Sequence, residues 1–343
     1  MKYQIGVIGA GSIARKRHLP ELLDNPHVRI AAVCDTVLER AEEMTEIYGG
    51  KAFSDYRDLL ALKGLDAVIV CATNTTHAEM TIAALQAGKH VLCEKPMATT
   101  LPAARAMIEA AEQSGKFLMI AHNQRLAPAC VKAGEILQSG KLGKVLTFQT
   151  VFGHPGSEYW AIDAGRTWFY ERQVAGLGVM SDLGIHKIDL VHWLLDDDFS
   201  EAAAMAGTLN KVNAAGALID VEDNALCLLR TKRGVMGTVT VSWTYQKEDN
   251  STIFYCEKGV LRIYAHPDYQ LIVDYSNTEG EYHKVGEIPT NVKQVKSGIV
   301  DLFVDCLVNN RKPEISGEEG YKALETVMAC FEAIKSRRVV SIG

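Results

Sequence analysis

Within Asp182-Leu183-Gly184-Ile185-His186-Lys187-Ile188-Asp189, two carboxylates flank one imidazole. Asp182 and His186 are four residues apart, and His186 and Asp189 three, so on a helix all three share a face. A carboxylate one turn from an imidazole fixes its tautomer and holds it as a proton acceptor near neutral pH. The same spacing also suits a core histidine satisfied by its neighbouring aspartate. A metal site is disfavoured, because His186 and His192 fall on different helix faces. The second candidate is Lys95, in Glu94-Lys95-Pro96. It follows the apolar run His90 to Cys93, and the proline biases its backbone toward an extended conformation, which sets the direction of its ammonium.

A third group of residues binds rather than reacts. Ile5-Gly6-Val7-Ile8 runs into Gly9-Ala10-Gly11-Ser12-Ile13-Ala14, a G-x-G-x-x-A turn between a strand and a helix. Gly9 permits the tight turn and Gly11 leaves room for phosphate oxygens, while Ala14 lets the helix pack closely. A second apolar run, Val28 to Cys34, ends at Asp35, where an acid suits the two ribose hydroxyls of adenosine and repels a 2′-phosphate. The cofactor expected is therefore NAD rather than NADP.

Positioning these groups requires a parallel sheet. The run Asp66 to Cys71 is continuously apolar, as in a strand buried on both faces, and it delivers Thr73 and Asn74 to the carboxyl end, where doubly wound sheets bind ligands. Thr75 or Thr76 suits the N-cap of the next helix. Alternating strands and helices continue to Phe117–Ala121, which leads into His122-Asn123-Gln124-Arg125. The fold class is thus α/β followed by α+β, with a dinucleotide-binding domain over residues 1–122 and a second domain over 123–343. In the second, 153–177 is a long loop carrying Tyr159, Trp160, Arg166, Trp168, Phe169 and Tyr170. Loops of that length are usually functional, and Trp160, Arg166 and Trp168 are candidates for stacking on a sugar, or for a hydrophobic plug. A helix is expected over Val179–Leu195. Val235–Tyr245 alternates as a long antiparallel strand, and Ala225–Leu229 is apolar on both faces, so that sheet requires cover on both sides.

With 343 residues, 48% hydrophobic and 23% charged, the chain has a globular composition. A net charge of −6 leaves no basic footprint for nucleic acid, and no apolar stretch approaches membrane-spanning length. Three glycines and Arg15-Lys16-Arg17 mark the first apolar run as strand and turn rather than a secretion signal. Eight scattered cysteines read as reduced thiols in a cytoplasmic protein.

The chain resembles the glucose-fructose oxidoreductase / inositol dehydrogenase / rhizopine catabolism (Gfo/Idh/MocA) family over nearly its full length. The resemblance is carried by the glycine turn, Thr73-Asn74 with His77, Glu94-Lys95-Pro96, and Gly176 to Asp189. Leu177 interrupts a glycine pair often found there. The resemblance implies a Rossmann domain, an α+β domain whose open sheet forms homodimers or homotetramers, and NAD(P)-dependent oxidation or reduction of a sugar or cyclitol hydroxyl. It makes Lys95, Asp182 and His186 the catalytic set, with His186 as general base or acid, Lys95 polarising the substrate oxygen and Asp182 orienting them. Gly9, Gly11, Ser12, Ile13, Asp35, Thr73, Asn74, His77, Glu94, Lys95 and Arg125 are expected at the cofactor. Lys95, Asn123, Trp160, Arg166, Trp168, Asp182 and His186 are expected at the substrate, and no metal is implied. Relatives on this scaffold also include NAD-retaining glycosidases and non-catalytic NAD-sensing regulators.

Overall fold

The computed structural model describes residues 2–163, 167–287 and 296–343. Its first sheet is built from β1 (Tyr3–Ile8), β2 (Val28–Cys34), β3 (Lys51–Phe53), β4 (Ala67–Val70), β5 (His90–Cys93) and β6 (Leu118–Ile120). The strands are all parallel, in the order β3-β2-β1-β4-β5-β6, and the order reverses beside β1. Each crossover returns through helix: α1 (Leu19–Asp24), α2 (Leu38–Tyr48), α3 (Tyr56–Leu60), α4 (His77–Gln86) and α5 (Leu101–Ser114). Central strands with helices on both faces lose all solvent contact, which explains the unbroken apolar run of β4.

The first helix does not begin as a regular α-helix. Ala14–His18 form a wider π-helical turn before α1 begins, and this turn buries both Arg17 and His18. The helix after β4 opens with a 3₁₀ turn at Asn74–Thr76. Neither Thr75 nor Thr76 caps it, because the Thr76 hydroxyl donates to the Thr73 carbonyl at 2.8 Å instead. Gly9 sits at φ +98°, and a Cβ there would meet the Cys71 carbonyl oxygen at 2.5 Å, so only glycine fits.

After α6 (Pro128–Gln138) the second sheet begins with β7 (Val145–Gly153). Among its described residues the 153–177 segment holds 3₁₀ turns at Ser157–Tyr159 and Trp168–Tyr170 and the helical turn α7 (Arg172–Ala175). The expected helix from Val179 is a π-helical turn, Met180–Gly184, continuous with α8 (Ile185–Leu195). The sheet is completed by β8 (Phe199–Gly207), β9 (Asn224–Thr231), β10 (Met236–Ser242), β11 (Thr252–Cys256), β12 (Gly259–Ile263), β13 (Leu271–Tyr275) and β14 (Glu281–His283). After α9 (Ile299–Val308) and α10 (Gly317–Ser336), β15 (Val340–Ser341) closes the order β14-β13-β12-β11-β7-β10-β9-β8-β15. The sheet is mostly antiparallel. However, β10 pairs parallel with β7 on one side and antiparallel with β9 on the other, so the expected antiparallel strand is half so.

Along β9 burial alternates: Ala225, Cys227 and Leu229 pack into the core, while Leu226 and Leu228 are 58% and 61% exposed. One face is therefore covered, by residues of α6, α8 and α10, and the other is open. The last two helices return to the first sheet. Ile299, Phe303 and Leu307 of α9 join the core around Ile5, Val7 and Met119, and Leu324 of α10 packs with Leu118 and Ile120. Glu21 fastens this return, accepting hydrogen bonds from the Ser297 N–H at 2.6 Å and the Val300 N–H at 3.3 Å. Among the described residues no helix is long and apolar enough to cross a membrane.

Candidate active site

A cavity of about 680 Å³ lies over the carboxyl ends of β1, β4 and β5, bounded on its far side by α8 and the 153–177 segment. At one end are Gly9, Gly11, Ser12 and Ile13. Nothing lies within 4 Å of where a Gly11 Cβ would stand, so the backbone is open to a close ligand. Asp35 flanks the turn, accepting from the Ala10 N–H at 2.9 Å and the Val37 N–H at 2.9 Å, which fixes its carboxylate at the strand end. Thr73, Asn74 and His77 line the middle. Asn74 also donates to the Ala175 carbonyl at 3.1 Å. His77 lies between the carbonyls of Pro96 (Nδ1, 2.8 Å) and Ala72 (Nε2, 3.1 Å); burial lowers its pKa, and the neutral ring donates to one of the two. An open glycine turn at a helix start, followed by an acid at the next strand end, fits a dinucleotide.

At the other end, Lys95, Asp182 and His186 converge from β5 and from the π turn leading into α8. Lys95 Nζ donates to Asp182 Oδ1 at 2.8 Å and to the Asp182 carbonyl at 3.0 Å. The other carboxylate oxygen accepts from Trp243 Nε1 at 3.1 Å. Asp182 therefore does not orient His186, as the one-turn spacing predicts; both its oxygens are held by other groups, and it positions the lysine. Nor does Asp189 join the site. It is buried and takes both arms of Arg125, at 2.8 and 2.6 Å. Arg125, expected at the cofactor, is likewise drawn away: it pairs with Asp189 and Glu319 and does not line the cavity.

His186 is half-buried and lines the cavity, with no hydrogen-bond partner at Nδ1. Burial first, and the charge of Lys95 second, push its pKa well below 6.5, so the ring stands neutral. Burial also opposes ionisation of Glu94. Yet the His18 hydrogen bond at 2.8 Å, with the charges of His18, Arg17 and Lys95, outweighs burial and lowers its pKa to about 2. A lysine with one N–H uncommitted can polarise an oxygen, and the neutral imidazole at the same cavity end can receive that oxygen's proton.

Asn123, Trp160 and Trp168 complete the lining, while Arg166 lies outside the described residues. The aromatic loop packs on itself and also faces the cavity. Trp168 stacks on Phe169 with centroids 3.9 Å apart and Trp160 meets Phe169 edge-on at 5.1 Å, and the cluster forms a cavity wall. The loop spans the glycine turn: the Ile162 N–H donates to Ser12 Oγ at 2.9 Å, and Arg40 pairs with Asp163 at 2.7 Å.

Several lining or supporting groups escape sequence reasoning. His154 follows β7, accepts from the Gly156 N–H at 3.0 Å, and keeps a buried Nε2 without a partner. Glu222 receives the Gly178 N–H at 2.9 Å and so fixes the entry to the π turn; burial raises its pKa to about 7. Trp243 and Arg17 belong to the same group. Strand alternation marks Trp243 as inward-facing, but nothing local marks its bond to Asp182.

Compared with known families, residues 3–122 match the model described as "Oxidoreductase family, NAD-binding Rossmann fold", and residues 130–262 match "GFO/IDH/MocA C-terminal domain". The chain is 28% identical to a 1,5-anhydro-D-fructose reductase of Ensifer adhaerens, covering 98% of each. It is also 28% identical to a myo-inositol 2-dehydrogenase of Thermotoga maritima, covering 99% of this chain and 98% of that one. Among solved structures, the aldose-aldose oxidoreductase from Caulobacter crescentus complexed with glycerol aligns with a TM-score of 0.85 at 25% identity, over the whole of both chains. Levoglucosan dehydrogenase in complex with NADH and levoglucosan shares the fold, with a TM-score of 0.88 at 22% identity over the whole of both chains. With both domain models matched in order around one cavity, the chain belongs to the Gfo/Idh/MocA family of NAD-binding oxidoreductases.

Proposed function

We propose that this protein is an NAD-dependent dehydrogenase, or in the reverse direction a ketone reductase, acting on a hydroxyl of a sugar, sugar derivative or cyclitol. The observation that carries this is Lys95, fixed by Asp182 and sharing one cavity end with a neutral His186. The names of the full-length relatives support the substrate class. Gly9, Gly11, Ser12 and Ile13 hold the pyrophosphate, Asp35 the adenosine ribose, and Thr73, Asn74 and Glu94 the segment toward the nicotinamide. Bound there, NAD supplies the hydride acceptor. Lys95 directs its remaining N–H at the reacting oxygen and stabilises alkoxide character as it develops. His186 takes the hydroxyl proton, and Trp160 and Trp168 wall the sugar away from water. A screen of inositols, free hexoses, glycosides and sugar acids, with NAD and NADP in parallel, tests the reading. Stoichiometric NADH formation with at least one sugar or cyclitol is expected, whereas bond cleavage without net cofactor reduction overturns it.

The open face of the second sheet supports a homo-oligomer, as a dimer or tetramer. Leu226, Leu228 and Met205 (78% exposed) form an apolar surface that a second copy would cover. Light scattering at micromolar concentration is expected to exceed the monomer mass. The eight cysteines, all free, accord with a reducing, cytoplasmic setting. The 1–122 and 123–343 division remains the proposed domain organisation.

A further inference from the structure

Lys95 is held by two acceptors on one residue, the carboxylate and the backbone carbonyl of Asp182, so its aim depends on where that peptide stands. The peptide belongs to the π turn Met180–Gly184, and Val179, which precedes the turn, gives it no side-chain cap. Three consecutive N–H groups lead into the turn, and all converge on Glu222. Its Oε1 accepts from Gly178 at 2.9 Å and from Met180 at 3.3 Å, and its carbonyl accepts from Val179 at 2.9 Å. N–H groups at a helical entry have no partner within the helix, so a buried entry needs an acceptor from outside. Glu222, itself buried, is that acceptor. The hold then passes along the backbone. The Gly178 carbonyl accepts from the Asp182 N–H at 3.2 Å and the Ser181 N–H at 3.1 Å, and the Asp182 carbonyl accepts from Lys95 at 3.0 Å. Glu222 thus reaches the lysine through the peptides of Gly178 and Asp182.

The approach is close enough to dictate sequence. A Cβ on Gly178 would stand 2.3 Å from the Glu222 carbonyl oxygen and 2.7 Å from its Cδ, so contact alone requires glycine there. The neighbouring Asp223 secures the other acceptor: its carbonyl takes the Trp243 N–H at 2.8 Å, and the Trp243 indole holds the Asp182 carboxylate. Glu222 and Asp223 therefore fix the backbone and the side chain of Asp182 separately. With its pKa raised by burial to about 7, Glu222 is only part-ionised near neutral pH, so the position of Oε1 matters more than its charge. A displacement of about 1 Å near the reacting groups can cost about 10²-fold in rate. We propose that Glu222 is a positioning residue for the catalytic lysine: through the entry to the π turn it fixes the Asp182 peptide that holds Lys95, and so aims the remaining N–H at the reacting oxygen. This rests on the oxidoreductase reading above and extends its machinery to a residue outside the cavity lining.

The test uses the full-length protein and two readouts, one of which needs no substrate. Labelling of Lys95 by acetic anhydride, followed by peptide mass spectrometry, reports how firmly its ammonium is held, and Asp182→Asn calibrates the released state. Glu222→Ala should label faster than wild type, and so should Glu222→Asp, which keeps the charge but withdraws the oxygen by one methylene. Glu222→Gln keeps an oxygen at the same reach and should return labelling close to the wild-type rate. Gly178→Ala should behave like Glu222→Ala. In turnover with NAD, Glu222→Ala should lower kcat about 10-fold while sugar KM and NADH affinity stay within about 2-fold, and Glu222→Gln should recover most of the loss. Placed in Lys95→Ala, Glu222→Ala should cost almost nothing further, because its effect runs through that lysine. Wild-type labelling in Glu222→Ala, or a full second loss in the Lys95→Ala background, would overturn the proposal. Should Glu222→Ala not fold, equal labelling of Glu222→Asp and Glu222→Gln would overturn it instead. The expected labelling pattern without turnover of any sugar or cyclitol would uphold the positioning role and sink the dehydrogenase reading. Sugar turnover with Lys95 labelled alike in every Glu222 variant would do the reverse.

Discussion

Lys95 has three N–H bonds, and the protein uses two of them on Asp182. That arithmetic makes the third the working one and explains why Asp182 matters without touching the proton. Lys95→Ala and His186→Ala are each expected to lower kcat by roughly 10²-fold or more, with NADH affinity retained. The double variant should lose much less than the product, since both serve one proton transfer. Asp182→Asn should also depress kcat, by loosening the grip on Lys95. Near-normal turnover in a folded, NADH-binding Lys95→Ala protein would refute the assignment. Because the pKa of His186 lies well below 6.5, its ring stays neutral as pH falls through that value. The acid limb of kcat/KM for oxidation is accordingly expected below pH 6.5, and a limb at or above it would contradict the lowered pKa. Asp35 sets cofactor choice: like charge repels a 2′-phosphate, so kcat/KM should favour NAD, and Asp35→Ser should narrow that preference. A wild type faster with NADP would remove the argument.

Strands and helices were mostly legible from apolar periodicity, because burial on one face or both leaves a local record. Leu101–Ser114 is one such helix, ending at a left-handed Gly115. What escaped was non-local or sub-helical. The two π turns, Ala14–His18 and Met180–Gly184, barely disturb the apolar spacing, yet they decide what faces the cavity. Asp182 and His186 do both line the cavity, as their spacing implies, but spacing says nothing of partners: Lys95 and Trp243 take the Asp182 carboxylate, and Arg125 takes that of Asp189. Arg125 left the expected set because its partner Asp189 lies 64 residues further on, a pairing no spacing rule reaches. Two substitutions test how elements hold the site. Gly9→Ala forces a side chain against the Cys71 carbonyl at positive φ, and should cost at least about 2 kcal/mol in urea denaturation. Trp243→Phe leaves a buried carboxylate oxygen unbonded, and should cost about 1–3 kcal/mol together with part of kcat.

Across the described residues, burial lowers the pKa of His77, His90, His122, His154 and His186, in each case first among the causes. Below pH 6.5 the unfolded chain binds protons at these rings that the folded chain refuses, so stability falls as pH drops through that window. Glu222 acts oppositely between pH 4.5 and about 7, one group against five. Urea midpoints measured from pH 7 to about pH 5 should therefore decline, and a flat profile would contradict the assigned burial.

The return of α9 and α10 to the first sheet also bears on how the molecule is made. Ile5 and Val7 share a core with Ile299 and Phe303, most of the chain apart. As the polypeptide leaves the ribosome, its nucleotide-binding half is finished long before the helices that seal it exist. During that interval an apolar flank stays uncovered, and contacts of such wide sequence separation form late and slowly. A fragment ending near residue 122 should therefore require chaperone assistance or precipitate, and acquire NADH binding only when the final segment is supplied.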